Sequence, residues 1–281
     1  MQKILYVHIP KAGGSAVNAY FAERIGEKKC YPHAENRLSD KDADHSKVDR
    51  CRYVSAHLIY PRLRRHFADQ NRFGMTVLRN PMDQLTSHLA WVRYQTDARQ
   101  KRAYEALPDF LKELAQRMTK IDLGNPVSLE KFLEELEPRE LAFFDNCQTR
   151  YLVPYMAGPA GPGMLARAKR NLQALDFVGI CERMQDVFDY LSWHFRLLPA
   201  EGSMRVNVTQ QRYGLDPADP ALRKVLQPYI ALDEELYDEA RRLFGARIHE
   251  MWTELSRANK AIINRDAVRK QLRGNSESPR R

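Results

Sequence analysis

Lysine, glycine and serine stand together in a short segment near the beginning of the chain, Pro10-Lys11-Ala12-Gly13-Gly14-Ser15. An apolar run precedes this segment and a helical pattern follows it, which predicts a loop that joins a strand to a helix. The first N–H groups of such a helix have no partner within it, and the helix dipole adds partial positive charge there. The segment therefore predicts a phosphate-binding loop, to which Lys11 adds a charge and Ser15 a hydroxyl. A tight turn capped by the serine is the simpler alternative.

The order of these residues excludes a Walker A loop. In that motif, GxxxxGK[ST], the lysine follows the second glycine. Lys11 instead precedes Gly13 and Gly14, two glycines that let a bound oxyanion approach the backbone. This order places the lysine at the strand end, beside the leaving-group side of a bound phosphate.

A second anion-binding element is Leu78-Arg79-Asn80-Pro81, with Ser87 eight residues after the arginine. Arg79 is predicted at the end of a strand, and its planar guanidinium suits a phosphate. Ser87, two turns into the next helix, is expected to face the same group. Two such elements suit a nucleotide with phosphates at both its 5′ and 3′ positions, whereas a surface or helix-capping role for Arg79 is the alternative.

Apolar runs rich in β-forming residues alternate with helical patterns along most of the chain. Strands are predicted at residues 4–9, 52–56, 73–78 and 176–180. Helices are predicted at residues 15–25, 81–92, 103–119, 128–137 and 184–197, and over most of the chain beyond residue 217. Pro81 suits the first turn of its helix, and Ser128 suits the N-cap of another. Residues 27–50 are predicted to form a loop.

This alternation predicts an α/β fold of the P-loop-like type, a three-layer sandwich. A central, mainly parallel sheet is flanked by helices, and the C-terminal third is helical. We expect a single domain over residues 1–272 and a disordered tail over residues 273–281. The loops that carry Lys11 and Arg79 then leave the C-terminal ends of strands, the edge at which open α/β sheets bind ligands.

The composition is that of a globular protein with an excess of basic residues. The chain has 281 residues, 43% of them hydrophobic, and a formal net charge of +9. That charge suits nucleic acid, an anionic membrane surface or anionic ligands, but no recognised nucleic-acid motif is present, so we expect no nucleic-acid partner. No run reaches the ~18–20 apolar residues of a membrane span, and no signal peptide is evident, so we expect a cytoplasmic protein. Wide spacing predicts free thiols at all four cysteines: Cys30, Cys51, Cys147 and Cys181.

The two anion-binding elements together resemble a known pattern. His8-Ile9-Pro10-Lys11-Ala12-Gly13-Gly14-Ser15 is similar to the HIPKTGGT form of the 5′-phosphosulfate loop of sulfotransferases that use 3′-phosphoadenosine 5′-phosphosulfate (PAPS). Val77-Leu78-Arg79-Asn80-Pro81, with Ser87, is similar to the 3′-phosphate motif of the same family.

Further segments resemble the carbohydrate sulfotransferases, in particular the uronyl 2-O-sulfotransferases, so that the landmarks span residues 4–245. These segments are Val54-Ser55-Ala56-His57-Leu58, Asp145-Asn146-Cys147-Gln148-Thr149-Arg150-Tyr151-Leu152 and Phe177-Val178-Gly179-Ile180-Cys181-Glu182-Arg183. Three positions differ from the usual pattern. Ala12 replaces a threonine, Ala56 replaces a glycine, and Ser55 stands where some relatives have a second histidine.

The resemblance implies transfer of a sulfuryl group from PAPS to an acceptor hydroxyl, with 3′,5′-bisphosphoadenosine (PAP) as product and no metal. The implied donor-binding residues are Lys11, Ala12, Gly13, Gly14 and Ser15 for the 5′-phosphosulfate, Arg79 and Ser87 for the 3′-phosphate, and Arg205 or Arg212 in a late basic loop. Lys11 then stabilises the departing oxygen, in a reaction that depends on positioning and charge. The acceptor is expected to be a carbohydrate or another hydroxyl-bearing molecule, with an anionic one among the alternatives.

His57 is the predicted general base, because an imidazole titrates near working pH and can take a hydroxyl proton. Carboxylates that remain as alternative bases are Glu23, Asp83 and Glu182. His8 is expected to pack against the first loop or orient it, and His88 is expected to lie on the surface of its helix.

Two other functions stay open at this point. A P-loop-type phosphotransferase would need Mg²⁺ and carboxylates to hold it. A non-enzymatic, basic protein that binds polyanions would keep salt-dependent binding without Lys11 and Arg79. Two basic runs are solvated helix faces by default, with the steering of an acidic sugar as the alternative: Arg62, Arg64, Arg65 and His66, then Arg99, Lys101 and Arg102. The helical C-terminal third suits either packing on the sheet or oligomer formation.

Overall fold

Five parallel strands form one sheet in the part of the chain that the computed structural model describes, residues 1–40, 42–156, 158–199 and 212–274, with side chains to residue 260. The strands are β1 (Lys3–Val7), β2 (Cys30–Tyr31), β3 (Tyr53–Ala56), β4 (Arg72–Leu78) and β5 (Phe177–Ile180). Helices flank the sheet, which confirms the α/β three-layer architecture expected from the sequence.

The order of the strands brings three loops to one edge of the sheet. The order is β2-β3-β1-β4-β5, so that β1 lies between β3 and β4. Val7, at the end of β1, pairs with Ala56 at the end of β3 and with Thr76 near the end of β4. Because the strands are parallel, the segments that follow β1, β3 and β4 emerge side by side. These segments contain Lys11, His57 and Arg79.

The helices account for most of the remaining chain. They are α1 (Gly14–Ile25), α2 (Glu35–Ser39), α3 (Ser46–Arg50), α4 (Tyr60–His66), α5 (Pro81–Tyr94), α6 (Lys101–Glu105), α7 (Asp109–Met118), α8 (Pro126–Glu134), α9 (Pro138–Phe144), α10 (Cys147–Tyr151), α11 (Pro162–Gln173), α12 (Met184–Phe195), α13 (Pro220–Leu226) and α14 (Ala231–Gly274). Proline opens α5, α8, α9, α11 and α13, where its fixed φ suits the first turn and its missing N–H is not needed. None of the helices in the described ranges combines the length and apolar character that a membrane span requires.

Apolar side chains form two clusters. The larger cluster lies on the sheet, where Tyr20 of α1 stacks on Phe188 of α12 with ring centroids 4.8 Å apart. The second lies among helices α5, α7, α8 and α13, with Leu85 and Leu89 of α5 fully buried in it. Helix α5 therefore begins at the sheet edge beside Arg79 and continues into the second cluster. Packing in that cluster holds the first turn of α5 in place.

The predicted strands and most of the predicted helices are present, and the differences have local causes. Residues 27–50, expected as a loop, contain the short edge strand β2 with α2 and α3. The helix expected over residues 103–119 is divided into α6 and α7, because Pro108 is the N-cap of α7. Ser128 is not a cap; Asn125 is, and its Oδ1 accepts from the N–H of Ser128 over 3.1 Å.

The predicted tail begins within a helix, and the prediction of free thiols is confirmed. Helix α14 continues to Gly274, so the first two residues of the expected 273–281 tail are helical, and residues 275–281 lie outside the described residues. All four cysteines are free, as expected.

Candidate functional site

The loop between β1 and α1 presents a concave run of backbone N–H groups. Lys11 and Gly13 both have left-handed backbone conformations, with φ of 61° and 84°, and α1 begins directly afterwards. Among the described residues, the N–H groups of Ala12, Gly13 and Gly14 donate to no acceptor. Successive N–H groups in such a turn, at the positive end of a helix dipole, form an anion-binding concavity.

A close approach of the His8 ring requires glycine at position 14. A Cβ atom there would lie 1.9 Å from Nε2 of His8, far inside van der Waals contact. His8 itself is buried, with 4% of its surface exposed. The ring therefore packs under the first turn of α1, which confirms the expected role of His8 in packing against the loop.

Helix α5 holds the loop from its other side. Nε2 of the buried Gln84 donates to the carbonyl oxygen of Pro10 over 3.0 Å. Ser87 lies three residues further along α5 and is half-buried, so it shares the face of the helix that Gln84 directs at the loop. Ser87 was expected to face the site, whereas Gln84 was not, because no sequence signal distinguishes it from other polar helix residues.

Lys11 and Arg79 form a pair of cations at the ends of the neighbouring strands β1 and β4. Nη1 of Arg79 donates to the carbonyl oxygen of Lys11 over 3.2 Å. Within the described ranges, neither side chain forms an ion pair with a carboxylate. Burial, together with repulsion from Arg79, lowers the pKa of Lys11 to about 8. Two adjacent cations with no counter-charge suit a polyanionic ligand.

A buried glutamine of α10 fixes the backbone of Arg79. Oε1 of Gln148 accepts from the N–H of Arg79, and Nε2 of Gln148 donates to the carbonyl oxygen of Arg79, both over 2.9 Å. The carboxylate of Asp233, in the first turn of α14, accepts from the N–H groups of Gln148 and Thr149 at 3.0 and 2.7 Å. Burial raises the pKa of Asp233 to about 6, although these hydrogen bonds oppose the rise. Gln148 belongs to a segment that resembles the carbohydrate sulfotransferases, but no local pattern predicts a role for it.

His57 follows β3 and is held in one orientation. Its Nδ1 lies 2.7 Å from the carbonyl oxygen of His8, and its backbone N–H donates to Oε2 of Glu35 over 3.1 Å. The rings of His8 and His57 lie 3.9 Å apart between centroids. Burial lowers the pKa of His57, although the charge of Glu35 opposes the change. A neutral His57 that donates from Nδ1 has the lone pair of Nε2 available.

The carboxylate that contacts His57 is Glu35, which was not among the expected bases. Although burial opposes ionisation, hydrogen bonds from His33 and from the N–H of His57 lower the pKa of Glu35 to about 2. Two of the carboxylates considered as bases have partners of their own. Glu23 pairs with Arg24 over 2.7 Å, and Glu182 accepts from the N–H of Asn80 and from the hydroxyl of Tyr237, both over 2.8 Å.

The expectation that His88 lies on the surface of α5 is wrong. His88 is fully buried, and its ring packs on Phe143 with centroids 4.5 Å apart. Burial lowers its pKa to about 3. The helical pattern did not predict this burial, because it does not show that α5 is covered on two faces. The first loop covers the helix at Gln84, and the second apolar cluster covers it at Leu89.

Of the two late basic residues, Arg212 lies within the described part of the chain. Arg205 lies outside the described residues. Arg212 is exposed, and its backbone carbonyl accepts from the N–H of Leu215 over 2.9 Å.

Two arginines of the basic run after His57, Arg64 and Arg65, line a cleft as well as the exposed face of their helix. The cleft, about 520 Å³ in volume, lies between α4 and α11. Four exposed arginines line it, none of them in an ion pair within the part of the chain that the structure describes: Arg64, Arg65, Arg167 and Arg170. His66, by contrast, pairs with Asp49 over 3.2 Å, and in the second basic run Arg99 pairs with Asp97 over 2.8 Å.

The chain matches no protein-family model, and no curated protein is significantly similar to it.

Proposed function

We propose that this protein is a sulfotransferase that moves a sulfuryl group from PAPS to an acceptor hydroxyl, with PAP as product. The observation that carries the proposal is the pair of cations at the ends of β1 and β4. Lys11 and Arg79 have no carboxylate partner among the described residues, and the turn that follows Lys11 has three N–H groups without acceptors. A nucleotide with phosphate groups at the 5′ and 3′ positions of its ribose supplies negative charges for both cations.

Each part of the donor would meet a different part of the site. The N–H groups of residues 12–15 and the hydroxyl of Ser15 would hold the 5′-phosphosulfate, which supplies an activated sulfuryl group when bound. Arg79 and Ser87 would hold the 3′-phosphate. Lys11 precedes the turn and would stabilise the negative charge that develops on the departing oxygen. A low pKa helps here, because the Lys11 ammonium more readily shares its proton with that oxygen.

His57 would act on the acceptor side as general base. Its Nδ1 is fixed on the carbonyl oxygen of His8, which leaves Nε2 to accept the hydroxyl proton as the hydroxyl oxygen attacks sulfur. Glu35 contacts the backbone of His57 rather than this nitrogen. We therefore assign Glu35 to positioning and keep the proton transfer at His57.

A carbohydrate is the acceptor that we propose, and an anionic one suits the surface. The arginine cleft between α4 and α11 begins at Tyr60, three residues after His57. Arginines without acidic partners attract carboxylate or sulfate groups. An acidic sugar chain would therefore be drawn to this cleft.

Binding of the product nucleotide tests the role of Arg79 directly. Calorimetry would compare PAP with 5′-AMP, which lacks the 3′-phosphate, on the wild-type chain, Arg79→Ala and the control Arg257→Ala, an exposed arginine of α14. We expect Arg79→Ala to weaken PAP binding about tenfold to a hundredfold, since a charge-assisted hydrogen bond contributes about 1.5–3 kcal/mol. It should leave the weaker 5′-AMP binding almost unchanged. Equal losses for both nucleotides would contradict a 3′-phosphate site.

Turnover separates the proposal from its rivals. We expect transfer from PAPS to persist in excess chelator and to be nearly abolished by Lys11→Ala. Strict dependence on Mg²⁺ with a nucleoside triphosphate would instead indicate a phosphotransferase. Salt-dependent polyanion binding that survives loss of both Lys11 and Arg79, without turnover, would indicate a binding protein.

A further inference from the structure

Three histidines from different segments meet beside the proposed acceptor side of the site. His8 follows β1, His57 follows β3, and His33 lies between β2 and α2. The ring centroids of His33 lie 5.3 Å from those of His8 and 5.4 Å from those of His57. His33 has a left-handed backbone conformation, with φ of 57°, which is uncommon for a residue other than glycine. The three side chains range from buried to exposed, so the cluster opens to solvent at His33.

The spacing of the ring nitrogens suits one metal ion. One nitrogen of each histidine lies within 4.8 Å of the other two. Three atoms at that spacing lie at most about 2.8 Å from a common centre, whereas a zinc–nitrogen bond is ~2.0–2.1 Å long. A movement of under about 1 Å at each ring would therefore close the site, and His33 is the exposed member of the three.

The second nitrogen of two of these rings already has the partner that a metal-bound histidine needs. Nδ1 of His57 contacts the carbonyl oxygen of His8 at 2.7 Å, and Nδ1 of His33 lies 3.5 Å from Oε1 of Glu35. Histidines that bind metals characteristically donate their other N–H to a carbonyl oxygen or a carboxylate in this way. Nδ1 of His8 is buried and has no hydrogen-bond partner among the described residues. A polar atom buried without a partner is unfavourable, and a metal ion would provide one.

We propose that His8, His33 and His57 bind one divalent transition-metal ion of the zinc class, and that this ion inhibits the protein. Three imidazoles favour zinc, cobalt, nickel or copper over magnesium or calcium, which prefer oxygen ligands. The ion is not a participant in sulfuryl transfer. It takes up the lone pair with which His57 would accept the hydroxyl proton. The inhibitory role therefore rests on the proposed function, whereas metal binding by the three histidines does not.

Direct metal binding is the first test. The full chain, stripped with chelator, would be titrated with Zn²⁺ by calorimetry and with Co²⁺ by visible absorption. We expect one ion per chain, a cobalt spectrum typical of tetrahedral coordination, and no comparable binding of Mg²⁺. His33→Ala should weaken Zn²⁺ binding at least about tenfold, because the site loses one of three protein ligands. His249→Ala, which removes an exposed histidine of α14, should have no effect. Absence of Zn²⁺ binding, or equal binding by His33→Ala, would overturn the site.

Inhibition is the second test. We expect Zn²⁺ to abolish transfer from PAPS by the wild-type chain, and excess chelator to restore it. His33→Ala should keep most of the basal rate, because Glu35 still accepts from the N–H of His57 without it. The variant should need at least about tenfold more Zn²⁺ for inhibition. Zinc that binds without slowing transfer would overturn the inhibitory role. A protein that binds zinc but shows no transfer would overturn the proposed function and support the metal site.

Discussion

Replacing Lys11 with methionine should make the protein more stable while it removes the proposed activity. Methionine keeps the length of the side chain and removes its charge. The pKa of the lysine falls from 10.5 to about 8 because the ammonium is partly buried and faces Arg79. At 1.36 kcal/mol per pH unit, this corresponds to about 3 kcal/mol of unfavourable free energy for the charged form. Because part of the side chain remains in solvent, we expect Lys11→Met to raise the free energy of unfolding by about 1–2 kcal/mol at pH 7.

The dependence on pH distinguishes this cause from a gain in packing. Below pH 8 the lysine is protonated in both the folded and the unfolded chain, so the unfavourable free energy is present in full. As the pH rises from 8 towards 10.5, the folded chain loses the proton first, and the wild-type protein regains stability. The advantage of Lys11→Met should therefore shrink between pH 7 and pH 9.5.

Urea unfolding at the two pH values measures both effects. The comparison of variant with wild type at each pH cancels the titration of the other groups. A variant that is less stable at pH 7, or whose advantage is the same at pH 9.5, would refute the view that Lys11 is held as an unfavourable buried charge. Saturating PAP supplies a further check, because it should raise the stability of the wild type more than that of the variant.

Two further substitutions test the supports of the site. Gly14→Ala should lower the free energy of unfolding by about 1–3 kcal/mol and weaken PAP binding, because its Cβ would lie 1.9 Å from His8. The control Gly163→Ala, where a Cβ meets nothing within 4 Å, should change neither quantity. Equal behaviour of the two variants would contradict the steric argument. Gln148→Leu leaves the backbone N–H and carbonyl of Arg79 without their partners. This should lower the free energy of unfolding by about 1–3 kcal/mol, and calorimetry should show that PAP binding is reduced more than 5′-AMP binding. An unchanged preference for PAP over 5′-AMP would mean that Gln148 supports the fold alone.

The sheet was predictable because its signals are local. Buried parallel strands have continuous apolar runs, and β1, β4 and β5 are such runs closed by turn residues. The two-residue strand β2 has no such run, and only its pairing with Tyr53 and Val54 defines it. The N-cap of α8 was misassigned because Asn125 and Ser128 are both good capping residues three positions apart, and Pro126 decides between them by taking the first helical position.

The candidate site was predictable only where a loop carries its own chemistry. The glycines and Lys11 predict an anion site in one segment. The supports come from distant parts of the chain, since Gln84 contacts Pro10 across 74 residues and Gln148 contacts Arg79 across 69. His33 and Glu35 lie in the segment expected as a loop, and their approach to His57 depends on the missed strand β2. Nothing in the local pattern distinguishes such residues from ordinary surface polar groups.

The chain of contacts from Arg79 through Gln148 to Asp233 connects the proposed nucleotide site to the last described helix. Asp233 lies in the first turn of α14, and its carboxylate holds the turn that presents Gln148. Any ligand that needs Arg79 in its fixed position also favours the docked position of α14. By reciprocity, loosening α14 weakens the binding of that ligand. The proposed 3′-phosphate site is therefore complete only after the ribosome has made residue 233. A nascent chain that already carries both predicted anion-binding loops should still lack full affinity for the proposed nucleotide.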